Sequence, residues 1–455
     1  MPEIISTLIA FILAIAILVS IHEYGHYIVA RWFDIKILKF SIGFGRALFK
    51  KIGKKDQTEY VIASIPLGGF VKMLDENEGE VSKHELHRAF NRQSVYKRFA
   101  VVSAGPLVNL IFAVVAFWLM YIIGVQGIIP KMGLLDKDSI AWQSGLREGD
   151  VIAQVADEKT PTWSAMNEAL IPFFIDREQV SVTLADQRVV SLKLDQISAD
   201  KDLKDIHASI GMELYIPKVP AIISEVVKGK PAEMAGMQKG DKIININGIK
   251  INSWQELVTY VKPRPNESMT IDLKRQSNNN DEEIIHTQLV TASIKSQGQV
   301  IGILGIRHQQ DKELLNSFFA TNQYEVFPAL IKSIEKTWDM SLLTLKMMGR
   351  MLIGQASIEN ISGPITIAEV AGHSYRQGVE YFLRFLAIVS LSLGIINLLP
   401  IPMLDGGHLS FYLYEMIVGR QLPQSQQELF FKFGIIILVM LMSIAFFNDI
   451  NRLLS

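Results

Sequence analysis

The chain has 455 residues, room for two or three domains, and a formal net charge of −1, which gives no sign of the basic bias that nucleic-acid binding needs. Hydrophobic residues make up 49% and the mean hydropathy is +0.24, more apolar than an average soluble protein. There is no cysteine, so disulfides and thiolate metal sites are excluded and any metal must sit on His, Asp or Glu.

The first predicted element is a membrane span over residues 1–30. It has no basic n-region and no small-residue cleavage site, so it reads as a retained span and not a cleaved leader. Inside it stands His22-Glu-Tyr-Gly-His26. Residues i and i+4 share a helix face, so both imidazoles can reach one ion. Zinc hydrolases use three protein ligands and keep a fourth position for a water whose pKa the metal brings to about 7. Glu23 is placed to hold and deprotonate that water. An ionisable side chain inside a bilayer costs at least about 2.5 kcal/mol, and three on one turn are hard to explain as packing. The competing readings are a polar cluster bonding two helices and a proton or ion relay.

Residues 31–98 carry 14 Lys and Arg, clustered at both ends and around Lys50, Lys51, Lys54 and Lys55. The positive-inside rule puts this loop in the cytoplasm and both termini outside. Its pattern is β, with Gly43-Phe44-Gly45 and Pro66-Leu-Gly-Gly69 as breakers. The apolar run over residues 40–49 follows the first span directly and is expected to dip back toward the membrane, shielded by protein or lining a wet cavity. A second span is expected over residues 99–125.

The outer region contains a repeat. Ala141-Trp-Gln-Ser-Gly-Leu-Arg-Glu-Gly-Asp150 returns as Ala232-Glu-Met-Ala-Gly-Met-Gln-Lys-Gly-Asp241, a gapless offset of 91 residues through Trp163 and Trp254, with seven of 23 positions identical. That period suits two tandem small domains, 126–218 and 219–310. Each has a Gly-x-x-x-Gly-Asp turn leading into an alternating strand, which resembles the protease-associated form of the PDZ domain, whose ligands are extended peptides and C-termini added as a strand. The alternative is a pair of β-rich spacers. In the first copy Asp157-Glu158-Lys159 replaces the turn glycine. Within the region 311–380, a helix is expected over about 326–354, with Phe327, Leu330, Ile331, Ile334, Trp338, Leu342 and Leu345 at three- and four-residue spacing. This amphipathic stretch is expected on the outer membrane surface or against the PDZ pair.

A third span is expected over residues 381–402 and a fourth over 431–448. A zinc site on His22 and His26 needs a third ligand at the same depth. His22 falls toward the cytoplasmic end of the first span, and spans one and three run in the same direction. Asp405, just past the third span, therefore emerges at the same end as His22. His408, three residues on, competes with it, whereas His373 falls on the opposite side.

These residues now form a pattern. His-Glu-x-x-His in the first span and Asn397-x-x-Pro400-x-Pro402-x-x-Asp405-Gly resemble the site-2 protease family, and so do Pro66-Leu-Gly-Gly-Phe-Val71, Ser103-Ala-Gly-Pro-Leu-Val-Asn109 and Ile361-Ser-Gly-Pro364. The resemblance implies one Zn2+ per chain on His22, His26 and Asp405, with Glu23 as general base. It also implies substrate contacts in the broken segment at Asn397, Pro400 and Pro402. Gly43, Phe44 and Gly45 are the candidate strand edge that would hold an opened substrate. The family's substrates include a single-span anti-sigma factor already trimmed by another protease, and remnant signal peptides, with the PDZ pair excluding untrimmed proteins. The expected fold is a multi-pass α-helical membrane protein with four transmembrane helices, two β-rich PDZ domains and a small membrane-associated β-sheet. It would sit in a bacterial inner membrane with its termini and PDZ domains periplasmic and its active site toward the cytoplasm. Two other classes fit less well. A non-catalytic PDZ scaffold leaves the intact His22, Glu23, His26 and Asp405 without a purpose, and a transporter is disfavoured by four spans without an inverted repeat.

Overall fold

The computed structural model describes residues 2–197, 206–216, 219–276, 282–296, 299–308, 317–353 and 363–454. The chain forms two compact units, one from Met1–Val125 with Thr321–Ser455 and the other from Gln126–Ala320.

The first unit holds the spans. Its elements are α1 (Pro2–Trp32), β1 (Ile37–Ile52), β2 (Glu59–Met73), α2 (Val95–Ile123), α3 (Val326–Leu352), α4 (Pro364–Gln377), α5 (Val379–Leu398), α6 (Asp405–Val418) and α7 (Gln424–Leu454). Among the described residues α1, α2, α5 and α7 are long and apolar enough to cross a membrane. The hydrophobic effect does not drive helices together in lipid, so close approach through small residues matters more. A Cβ added at Gly25 would collide with the Ala104 carbonyl, and one at Gly394 would lie 2.9 Å from the Pro106 carbonyl. α2 thus lies against both α1 and α5. The Ser390 hydroxyl seals the second contact by donating to the Asn109 carbonyl at 2.9 Å.

β1 and β2 form one bent hairpin beside the cytoplasmic end expected for α1. Phe40 pairs with both Val71 and Tyr60, and Ile42 with both Gly69 and Ile62, so each long strand folds back on its neighbour. The bend falls at Gly43 and Gly45, whose φ of +93° and +85° suit glycine. A charged knot ties the hairpin to α1. Arg88 donates to both Asp56 oxygens at 2.7 and 2.9 Å, and Arg31 reaches Asp56 at 3.2 Å. The hydrogen bonds from Arg88 hold the Asp56 carboxyl below its usual range.

α3 spans nearly the range expected for the amphipathic helix, and the structure decides its packing. Ala329, Ser333 and Thr337 are buried, and Ala329 packs with Ala116, Phe117 and Ala387 of α2 and α5. The Trp118 indole donates to the Val326 carbonyl at 2.8 Å. Phe327, Ile331, Ile334 and Trp338, the apolar stripe visible in the sequence, stay exposed. Small residues make the helix–helix contact because they let backbones approach.

α4 is capped from another helix. Asp449 of α7, 2% exposed, accepts from the backbone amides of Gly363 and Ile365 at 3.0 and 2.8 Å, and from the Thr366 hydroxyl. A helix N-terminus leaves its first amides unpaired, and a carboxylate there answers both their hydrogen bonds and the dipole. Asp449→Ala is expected to cost about 1–3 kcal/mol. The measurement is thermal unfolding in detergent; an unchanged midpoint would mean that the cap contributes nothing to stability. Of the Ile361-Ser-Gly-Pro364 segment, Ile361 and Ser362 lie outside the described residues.

The second unit repeats itself in three dimensions as it does in sequence. The first copy runs Ile152–Val155, Glu158–Lys159, helix Trp163–Asp176, Val180–Leu184 and Val189–Leu192. The second runs Lys242–Ile246, Ile249–Lys250, helix Trp254–Val261, Ser268–Gln276 and Glu282–Val290. Both four-stranded sheets have the same neighbour order. Trp163 and Trp254 each open a helix behind an N-cap, Thr162 and Ser253, whose hydroxyls accept from Ala165 and Glu256 amides at 3.2 Å. The repeated aspartates also share a task. Asp150 and Asp241 each close their own turn, at 2.8 Å to the Arg147 and Gln238 amides, and each pairs with an arginine, Arg188 or Arg275. The hairpin turns differ. The second copy uses Asn247-Gly248, both at positive φ, while the first forces Ala156 to φ +49°.

Candidate metal centre

α1 runs unbroken through His22 and His26, so the two imidazoles project from successive turns of one face. α2 is their backing. A Cβ at Gly105 would overlap the His26 ring, so only glycine lets α2 pass there. His26 Nδ1 donates to the Val101 carbonyl at 2.9 Å. A carbonyl can only accept, so Nδ1 carries the hydrogen and a neutral His26 presents its lone pair at Nε2.

Asp405 arrives from the other side of the sequence. α5 stops at Leu398, the chain turns through residues 399–404 with Met403 at φ +77°, and α6 begins on Asp405. A non-glycine residue in that region stores strain, a frequent feature of functional turns. The two glycines that follow are both needed. A Cβ at Gly406 would strike the Leu399 carbonyl and one at Gly407 would lie 2.8 Å from the Ile401 carbonyl. The turn can therefore fold tightly enough to bring the first residue of α6 over α1.

There the three groups meet. Asp405 Oδ2 lies 3.1 Å from His22 Nε2 and 3.5 Å from His26 Nε2, and the two Nε2 atoms are 3.3 Å apart. The side chains are 12%, 11% and 20% exposed for His22, His26 and Asp405. Asp405 Oδ2 is buried with no hydrogen-bond donor. The Asp405 oxygen and the His26 Nε2 lone pair face one another, and two such acceptors repel unless a cation lies between them. A tetrahedral zinc with bonds of about 2.0–2.2 Å to nitrogen and oxygen sets its ligands roughly 3.3–3.6 Å apart, and the observed spacings of 3.1, 3.3 and 3.5 Å lie in or just below that range. The donor set, two imidazoles and a carboxylate, suits zinc.

Among the described residues this is the group of His, Asp and Glu side chains close enough together to share an ion. His408 stays out of it: the residue is exposed, and its ring sits 5.4 Å from Phe431. His373 lies on α4, also outside the group.

Glu23 faces the β hairpin. A Cβ on Gly69 would lie 2.8 Å from Val19 Cγ1 and 3.1 Å from Glu23 Cγ, so β2 crosses α1 in close contact beside this carboxylate. The Val71 backbone amide faces the same group. Gly43, Phe44 and Gly45 occupy the bend of β1, with Phe44 opposite Ile65 and stacked 6.1 Å from Phe70. The strand that touches α1 at Glu23 is thus residues 69–71, while residues 43–45 lie across the bend from it. Asn397 is in the last turn of α5, Pro400 is exposed in the break, and Pro402 packs against Gly434 of α7. Sequence reasoning assigns no role to the Val101 carbonyl or to Gly105. The available signal is the run of small residues Ser103-Ala104-Gly105 inside an apolar span.

Comparison with known proteins agrees with this chemistry. A family model described as peptidase family M50 matches residues 10–441. The chain is 38% identical over 459 residues to a putative zinc metalloprotease of Vibrio cholerae, with all of both chains covered. It is 38% identical to the protease RseP of Yersinia pestis over 457 residues, again covering both chains in full. The regulator of sigma-E protease RseP of Escherichia coli K12 is likewise 38% identical, covering 98% of each chain.

Proposed function

This chain belongs to peptidase family M50, the site-2 proteases, and from that premise we propose that it cleaves single-span membrane proteins with zinc held by His22, His26 and Asp405 and with Glu23 as general base. The enzyme class itself, a multi-pass zinc metalloprotease, follows from the family and from the full-length relatives. What most supports the residue assignment is the convergence of three potential ligand atoms at 3.1, 3.3 and 3.5 Å.

Zinc bound there supplies a Lewis acid that polarises the scissile carbonyl and makes a water acidic near neutral pH. The protein residues do the rest. Glu23 takes the proton of the attacking water and returns it to the leaving amine. The Val101 carbonyl holds His26 in its ligating tautomer. A peptide bond in an intact helix is shielded, so the substrate must unwind. The hairpin supports the extended form, with Gly43, Phe44 and Gly45 as the receiving edge and Asn397, Pro400 and Pro402 as the opposite wall. The substrates in this reading are a trimmed anti-sigma factor and remnant signal peptides. The setting is a bacterial inner membrane, with the termini and repeat unit periplasmic and the metal toward the cytoplasm. The two repeat domains, 126–218 and 219–310, are PDZ domains that exclude untrimmed substrates. Their matching strand order and helix caps support that identity.

The deciding experiment is metal analysis paired with cleavage. Purified protein should carry about one zinc per chain and cut a single-span substrate, and a chelator should stop cleavage until zinc is restored. Cleavage that survives complete zinc removal would end this reading. Deleting residues 126–320 is expected to leave cleavage of a trimmed substrate intact while admitting untrimmed ones. If that deletion abolishes all cleavage, the repeat domains are not a filter.

A further inference from the structure

We propose that Asn109 is the positioning residue for His22, its side-chain oxygen accepting the Nδ1 hydrogen so that Nε2 is left free for zinc. The inference rests on the reading of His22, His26 and Asp405 as zinc ligands.

Asn109 is 0% exposed in the middle of an apolar span, an expensive place for an amide. Its side chain meets His22 Nδ1 at 3.1 Å through the atom assigned as Nδ2, and its Oδ1 is buried without a hydrogen-bond partner. Amide oxygen and nitrogen are distinguished by their network and not by shape. With Nδ2 donating, His22 must carry its own hydrogen on Nε2, the atom 3.1 Å from Asp405, and cannot ligate there. With the amide turned by half a revolution, the unpartnered Oδ1 accepts from Nδ1–H and the Nε2 lone pair faces Asp405 and His26. Only this orientation is compatible with zinc.

The neighbouring ligand uses the same device. His26 anchors its Nδ1 hydrogen on the Val101 carbonyl, so α2 would orient both imidazoles, by backbone at Val101 and by side chain at Asn109. α5 holds Asn109 in place from behind. The Ser390 hydroxyl donates to the Asn109 carbonyl, and a Cβ at Gly394 would lie 3.3 Å from the Asn109 Cβ. The third span thereby positions the first-span ligand through one residue of the second.

The competing role is plain interhelical adhesion between α1 and α2. Asn109→Asp and Asn109→Leu separate the two. Zinc affinity is read by chelator competition, and ligand geometry by the visible absorption of the cobalt-substituted protein. Asp keeps the acceptor and lacks the donor, so Asn109→Asp should bind zinc within a few-fold of wild type with the same cobalt spectrum. Asn109→Leu should bind zinc about 10–100-fold more weakly, with an altered spectrum, as loss of an outer-shell partner does. Zinc affinity of the folded Leu variant equal to wild type overturns the proposal. So does a loss of tenfold or more in the Asp variant, which decides the matter even if the Leu variant does not fold. His22→Ala, measured alongside, isolates the premise: wild-type zinc binding there would remove the ligand assignment itself.

Discussion

Glu23→Gln is expected to keep about one zinc per chain and to lower the rate of peptide-bond cleavage by about 10²–10⁴-fold, the usual worth of a positioned general base. Glutamine has the size and shape of glutamate, so the close passage of Gly69 over this side chain is preserved. It cannot take a proton, and that is the property removed. The proposed ligands, His22 and His26 on α1 and Asp405 on α6, need nothing from the carboxylate to hold an ion. The expected signature is therefore a split: unchanged zinc by mass spectrometry, unchanged substrate binding, and a collapse of kcat on a single-span substrate. A variant that cleaves at the wild-type rate would take the base role away from Glu23. One that loses its zinc would make Glu23 part of the ligand set.

Asp405→Ala is expected to lower zinc affinity by more than the 10–100-fold that loss of an outer-shell partner costs, and to abolish cleavage with it. Two imidazoles remain, but the third edge of the site, at 3.1 and 3.5 Å from them, is gone. Alanine suits a helix start poorly as a cap, yet Asp405 is already the first helical residue and the tight turn depends on Gly406 and Gly407, so α6 should still form. His408→Ala is the control. Its ring packs on Phe431 and lies outside the ligand group, so zinc content should stay at the wild-type level. A reversal, with His408→Ala losing zinc and Asp405→Ala keeping it, would exchange the two residues in the site.

Four spans are readable from uninterrupted apolar length, because a bilayer demands about 20 such residues in a row. The structure extends the fourth to Gln424–Leu454 where the apolar core alone suggests 431–448, since polar helix ends do not register as membrane. His22, Glu23 and His26 are readable because packing alone does not place three ionisable groups on one helical turn in lipid. The repeat of 91 residues is readable as identity at fixed offset, and its matching sheets are the consequence. Helices α4 and α6 are not separable in the sequence: α4 is short, and α6 follows a break whose sharpness depends on Met403 at positive φ.

The chemistry available is legible in the linear order of residues: two imidazoles one turn apart, a carboxylate beside them, and an Asp-Gly-Gly turn after a span that runs the same way. Which polar atoms meet depends on how the helices pack. The pairing of His22 Nε2 with Asp405, the Val101 carbonyl on His26 and the amide of Asn109 on His22 join residues up to 383 positions apart in the chain, from His22 to Asp405. Local propensity and periodicity carry no information about such contacts. They arise where Gly25, Gly105 and Gly394 let three helices approach closely enough for their polar groups to share one small volume.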